Sequence, residues 1–155
     1  MELLTVEKEL IPYNDKLIEI LEADHKILLK VYTEIMEQAG KKDYSSLTTS
    51  LKTFLMILRK HLSKERINLY MYIELVLSKK LENYDKKVFR DLRLELSTIA
   101  IKASSALNQY IHTPVTDKTV KQFTKDFTAL GGVLVNRIER EEKNIFPIYS
   151  NSAIN

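Results

Sequence analysis

The chain has 155 residues, 45% of them apolar, with 24 Lys and Arg against 21 Asp and Glu and no cysteine. That length suits one domain with one core. The net charge of +3 supplies no field that would draw the chain to nucleic acid or a membrane, and the lack of cysteine excludes disulfides and thiolate metal sites.

The N-terminal MELLTVEKEL carries an acid at residue 2 and lacks the apolar run of a signal peptide. No stretch approaches the roughly 18 apolar residues of a membrane span. A cytoplasmic protein is expected. Residues 1–12 read as an N-terminal arm whose Leu3, Leu4, Val6, Leu10 and Ile11 pack along the bundle, or alternatively against a partner, 13–150 as one bundle, and 151–155 as a C-terminal tail.

Glycine and proline, three of each, fall at boundaries. Pro12 precedes Asn14-Asp15, a helix start, and Gly40 stands where that helix would end. Asp43 to Ser46 offers caps for a second helix, and Leu81 to Asp85 reads as a bend before a third. His112-Thr113-Pro114 ends the third, Thr116 or Asp117 starts a fourth, and Pro147 closes it. The four segments run roughly 26 to 35 residues, longer than average helices.

Each segment repeats apolar residues at 3–4 spacing. The first gives Leu17, Leu21, His25, Leu28, Tyr32, Ile35 and Ala39, and the second Leu47, Leu51, Phe54, Leu58, His61, Glu65, Tyr72 and Val76. The third gives Phe89, Leu92, Leu96, Ile99, Ala103, Leu107 and Tyr110, and the fourth Phe123, Phe127, Leu130, Leu134, Arg137, Glu141 and Ile145. No period-2 pattern competes, and the short connections favour antiparallel neighbours. The expected fold is all-α, an antiparallel up-down-up-down four-helix bundle with an N-terminal arm.

Five polar residues interrupt these stripes: His25, His61, Glu65, Arg137 and Glu141. A buried polar group without a partner costs about 1–3 kcal/mol, so each needs a reason. His25 lies about 14 residues before Ala39, and His61 about 15 after Ser46. At 1.5 Å per residue the two histidines meet at one level of antiparallel helices, next to Glu65 one turn on. A ferritin-like scheme needs two Glu-x-x-His motifs. Only Glu22 and His25 supply one, which excludes it.

The stretches LEADHKILLKVY, LRKHLSKERINLYMY and RIEREEKNIFPIY resemble the hemerythrin-like, or HHE cation-binding, family. Its pattern has an Asp-His pair on the first helix, His-x-x-x-Glu on the second, and His-x-x-x-Glu-Glu leading into Phe-Pro on the fourth. The resemblance implies a four-helix bundle and, in complete members, a di-iron site used for oxygen carriage, sensing or repair-linked chemistry. The third helix, which supplies histidines in complete members, has Leu96, Ile99, Ala100 and Ala103 here, and Arg137 stands where the fourth-helix histidine would be. The carried-over ligands are His25, His61, Glu65 and Glu141. Glu142 is a weaker candidate, turned off the stripe.

These readings imply a non-enzymatic binding or regulatory module with a depleted di-iron site, not an oxygen carrier. Arg137 is expected to fill the vacated space and to hold both Glu65 and Glu141, because a divalent ion beside that guanidinium would set three positive charges against two negative. On this reading no cofactor is expected. The alternative is a metal-binding sensor holding one iron or zinc ion through two histidines and two carboxylates. A looser similarity of LSKERINLY and the Gly131-Gly132 region to anti-sigma regulators of the regulator-of-sigma-D type gives a further alternative, a regulator that binds a sigma factor or other RNA polymerase component. A protein partner is expected, with the chain a monomer or homodimer. Lys79, Lys80, Lys86, Lys87, Arg90 and Arg93 alternate with acids and read as a solvated face. Tyr70, Tyr72 and Tyr84 read as end caps with their hydroxyls in water.

Overall fold

The computed structural model describes residues 11–154. Its main elements are α1 (Leu17–Gly40), α2 (Tyr44–Lys64), α3 (Asn83–His112), α4 (Val120–Arg140) and a short α5 (Phe146–Asn151). Among the described residues there is no strand. Among them, too, no helix is long and apolar enough to cross a membrane. Of the expected arm, Leu3, Leu4, Val6 and Leu10 lie outside the described residues, while Ile11 packs against the core.

Contacts between helices run in opposite directions along the chain, as an antiparallel bundle requires. Arg59 of α2 reaches Ser104 of α3, and fifteen residues further the Glu74 carboxylate meets Arg93. Tyr110 of α3 bonds Asp126 of α4, while Arg137 reaches back to the Leu92 carbonyl. At one end of the bundle Tyr44 donates to Asp117 across 2.6 Å, and at the other Tyr149 accepts from the Asn14 amide across 2.7 Å. The stripes expected from the sequence form one core, from Leu17 and Leu21 through Leu51, Phe54, Leu92 and Ile99 to Phe123 and Phe127.

Three boundaries depart from the sequence reading. Gly40 does end α1, but the left-handed residue that turns the chain is Lys42, at φ 59°. Asp43 then caps α2 by accepting the Ser46 amide. A turn at Thr116–Thr119 delays α4 to Val120. Pro147 does not close the fourth segment. It sits in the first turn of α5, where a missing N–H costs nothing.

The larger departure concerns helix geometry. His61, Glu65, Leu69, Ile73 and Leu77 are all buried, as are Arg137, Glu141, Ile145 and Tyr149. Both series advance by four residues. In an α-helix each such step overshoots a full turn by about 40°, so four steps would swing the stripe about 160° off the core. Wider π-helical turns (i→i+5) absorb the overshoot. They occur at Glu65–Tyr70, Ile73–Leu77 and Glu141–Ile145. Two of the three begin at a buried carboxylate, and the same widening puts Leu77 rather than Val76 in the core.

Gly131 and Gly132 separate two kinds of glycine. A Cβ on Gly131 would intrude on the Tyr32 ring and hydroxyl, and on Gly132 it would meet nothing. Tyr32 is held there by stacking on Phe127, with ring centroids 4.6 Å apart, and by donating to the Phe127 carbonyl. Gly132→Ala is therefore expected to stabilise the protein by about 0.5–1 kcal/mol through helix propensity. Gly131→Ala is expected to lose about 1 kcal/mol, as overpacking outweighs the same gain. Urea midpoints of the two variants check this. A stabilising Gly131→Ala would mean that Tyr32 moves aside at no cost.

Candidate metal centre

Three helical segments deliver the site. His25 comes from the middle of α1, and its ring meets that of His61 edge-on with centroids 4.7 Å apart. The one-level placement read from the sequence is therefore observed. Glu65 follows His61 by one turn and Glu141 enters from the end of α4. All four are buried, with Glu65 at 0% and Glu141 at 1% exposure.

One ligand atom from each of the four lies within 4.8 Å of the others. His61 Nε2 is 3.3 Å from Glu65 Oε1, and His25 Nε2 is 3.9 Å from Glu65 Oε2 and 3.7 Å from Glu141 Oε1. Among the described residues, both nitrogens of His25, His61 Nε2 and both Glu65 oxygens are buried without a hydrogen-bond partner. Native interiors rarely leave such groups unpaired. A void of about 30 Å3 adjoins them, partly open and lined by Leu28, Leu58, Leu62 and Leu134, with the exposed Leu29 and Val135 at its edge. Unpaired lone pairs converging on a small space suit a cation, and two imidazoles with two carboxylates are a donor set for iron or zinc.

The ionisation of the groups follows from burial. His25 is pulled down to about 3, first by desolvation and then by His61, so its imidazole is neutral. His61 is lowered by desolvation, against the opposing pull of Asp24. Desolvation raises Glu65, and it raises Glu141 well above the carboxylate range with the help of the neighbouring Glu65 charge. Two facing carboxylates in a dry space resist ionising together, and a cation between them removes that conflict.

The surrounding residues hold the ligands in place. His61 Nδ1 lies 3.0 Å from Asp24 Oδ2, which also takes Lys64 Nζ at 2.8 Å. This carboxylate–histidine contact turns the lone pair of His61 Nε2 into the site, as second-shell acids do for metal-binding histidines. Asp24 was visible in the sequence only as half of the Asp-His pair. Glu142 is more than one-third exposed, and its Oε1 lies 3.7 Å from His25 Nδ1, outside the converging set.

Arg137 is buried as expected, but it does not hold both acids. Its Nη2 is 3.4 Å from Glu141 Oε2 and donates to the Tyr70 hydroxyl at 3.2 Å, while Nη1 donates to the Leu92 carbonyl at 2.8 Å. Neither Glu65 oxygen has a hydrogen-bond partner. Glu95 lies 3.7 Å from Arg137 Nη1 and 2.7 Å from Arg140 Nη2. Desolvation would lower the guanidinium, but Glu141, Tyr70, Glu65 and Glu95 outweigh it and raise its pKa. Tyr70 was misplaced by the sequence reading. It is 1% exposed and donates to Glu141 Oε2 at 2.7 Å, because the π turn after Glu65 carries it inward. Tyr72 is buried too, against Tyr149, whereas Tyr84 is exposed.

The charge objection to a metal also changes. With both buried carboxylates ionised, as a bound cation would require, Asp24, Glu65, Glu95, Glu141 and Glu142 bring five negative charges, against three positive ones on Arg137, Arg140 and Lys64. A divalent ion brings this group to neutrality, with the half-exposed members partly screened by water. Glu95 comes near only through the fold, whereas Asp24 adjoins His25 in the sequence.

An antiparallel four-helix bundle with a buried histidine–carboxylate cluster at mid-height defines a cation-binding class of helical domain. The chain belongs to the hemerythrin HHE cation binding domain family, which it matches over residues 16–149. No curated protein and no solved structure matches the chain.

Proposed function

We propose that this HHE domain is a non-enzymatic metal-binding sensor or regulator that holds one divalent ion, iron or zinc, through His25, His61, Glu65 and Glu141. The observation behind this reading is the set of buried, unpartnered nitrogen and oxygen atoms of His25, His61 and Glu65 that converge with Glu141. A bound ion would supply Lewis acidity and, if it is iron, a one-electron couple. The chain itself supplies neutral imidazoles, an Asp24-fixed His61 tautomer and a largely apolar lining. The buried face of α3 consists of Phe89, Leu92, Leu96, Ile99, Ala103, Leu107 and Tyr110, with no histidine or carboxylate among them, which favours one ion over two.

Elemental analysis of the full chain purified from cells tests the reading. One equivalent of iron or zinc is expected, and less than a tenth of an equivalent in His61→Ala. A folded, metal-free protein with no affinity for added Zn2+, Fe2+ or Co2+ would overturn it.

The second reading, a regulator acting through a protein partner without metal, is favoured by one feature. A groove of about 460 Å3 between α3 and the α2 segment with its π-helical continuation combines Arg59 and Arg66, and Arg93 paired with Glu74 at 2.9 Å, with the exposed side chains of Met71 and Leu94. Apolar lips beside arginines suit an acidic, amphipathic partner segment.

A further inference from the structure

The two oxygens of Glu141 have different surroundings. Oε2 accepts from the Tyr70 hydroxyl at 2.7 Å and faces Arg137 Nη2 at 3.4 Å. Oε1 points the other way, 3.7 Å from His25 Nε2. Glu65 has no such restraint, since both of its oxygens lack hydrogen-bond partners. The site therefore has one carboxylate that lies 3.3 Å from the His61 ring nitrogen and one that is pinned by a hydroxyl and a guanidinium.

The groups that pin Glu141 are themselves fixed. Tyr70 stacks on Phe89 with centroids 5.6 Å apart, and the Arg137 guanidinium lies 5.5 Å from the Tyr70 ring centre. Arg137 is tied to α3 through the Leu92 backbone carbonyl, a 2.8 Å bond. Thus α3, which gives no side-chain ligand, still acts on the site by anchoring the arginine. A guanidinium is always charged at ordinary pH. Placed at Oε2, while Oε1 faces His25, it is a permanent cation that would repel a further ion at that oxygen.

Resting on the one-ion reading above, we propose that Tyr70 and Arg137 form a positioning clamp on Glu141. The clamp occupies Oε2, leaves Oε1 as a one-oxygen ligand, and limits the site to a single divalent ion. Tyr70 and Arg137 touch no ion in this arrangement and act only through Glu141. Second-shell groups of this kind change metal affinity by about 10- to 100-fold when removed.

The test is titration of the full metal-free chain with Co2+, followed by calorimetry and by visible absorption, which reports ligand geometry. Wild type is expected to saturate at one equivalent. Tyr70→Phe removes one hydroxyl and keeps the ring, so the fold is retained. It is expected to bind Co2+ about 10- to 100-fold more weakly, with a changed absorption band. Tyr72→Phe, at a buried ring packed on Tyr13 and Tyr149, controls for general loosening and is expected to match wild type. If wild type binds no Co2+, the one-ion reading itself fails. If wild type binds one ion and Tyr70→Phe matches it in affinity and spectrum, the clamp is wrong. Saturation of wild type at two equivalents would also overturn it.

Discussion

Arg137→Ala is expected to destabilise the metal-free protein by about 3–5 kcal/mol, the usual cost of removing one partner from a buried ion pair. The side chain is 2% exposed and its guanidinium meets Glu141, Tyr70, the Leu92 carbonyl and Glu95. Truncation takes a charge-assisted partner from Glu141 and leaves the Tyr70 hydroxyl with one contact fewer. It also opens a void the size of a guanidinium between α3 and α4. Glu141 already resists ionisation because it is desolvated beside Glu65, so it will hold its proton more tightly in the variant. That protonation limits the loss.

Urea denaturation with chelator present measures the effect. A change under about 0.5 kcal/mol, typical of surface positions, would show that the buried contacts of Arg137 contribute nothing net. Arg137→Leu with Glu141→Gln separates charge from packing. Replacing both members of a buried pair by uncharged groups is often close to neutral, so this double variant is expected to recover most of the loss.

Metal is expected to have an effect of similar size and opposite sign. At free Zn2+ or Co2+ about 1,000-fold above Kd, binding adds about 4 kcal/mol to stability. In a domain of this size that corresponds to roughly 8–16 °C in Tm, at about 2–4 °C per kcal/mol. The shift should vanish in His61→Ala, which loses a ligand and the Asp24 contact together. It should persist in His112→Ala, since His112 is exposed at the end of α3. Chelator should return the wild-type Tm to its metal-free value. Equal shifts in wild type and His61→Ala would place the bound ion elsewhere on the protein.

Much of the molecule could be read from spacing. The apolar repeats of Leu17 to Ala39 and Phe89 to Tyr110 match the buried faces of α1 and α3 residue for residue, apart from half-buried Tyr32. The polar interruptions marked the site, because a histidine or glutamate on a buried stripe requires a partner or a ligand. After Glu65 the α-helical period places Tyr72 correctly in the core but misses Leu69, Ile73 and Leu77 and takes the half-buried Val76 instead. The four-residue series His61, Glu65, Leu69, Ile73, Leu77 was present in the chain. It signals π turns only once all five are known to share one face.

The amino-acid sequence by itself determined the all-α class, the four bundle helices and the four side chains of the cluster. These depend on local periodicity and on the cost of burying polar groups, both of which are written along one dimension. Only the tertiary structure decided the role of Arg137. Its partners Tyr70, Leu92 and Glu95 come from other helices, and a backbone carbonyl leaves no mark in a residue pattern. Which acid the guanidinium takes, Glu141 and not Glu65, depends on helix packing and on turns widened at the two carboxylates. Such geometry is set by the simultaneous fit of distant segments, so no local stretch of the chain encodes it.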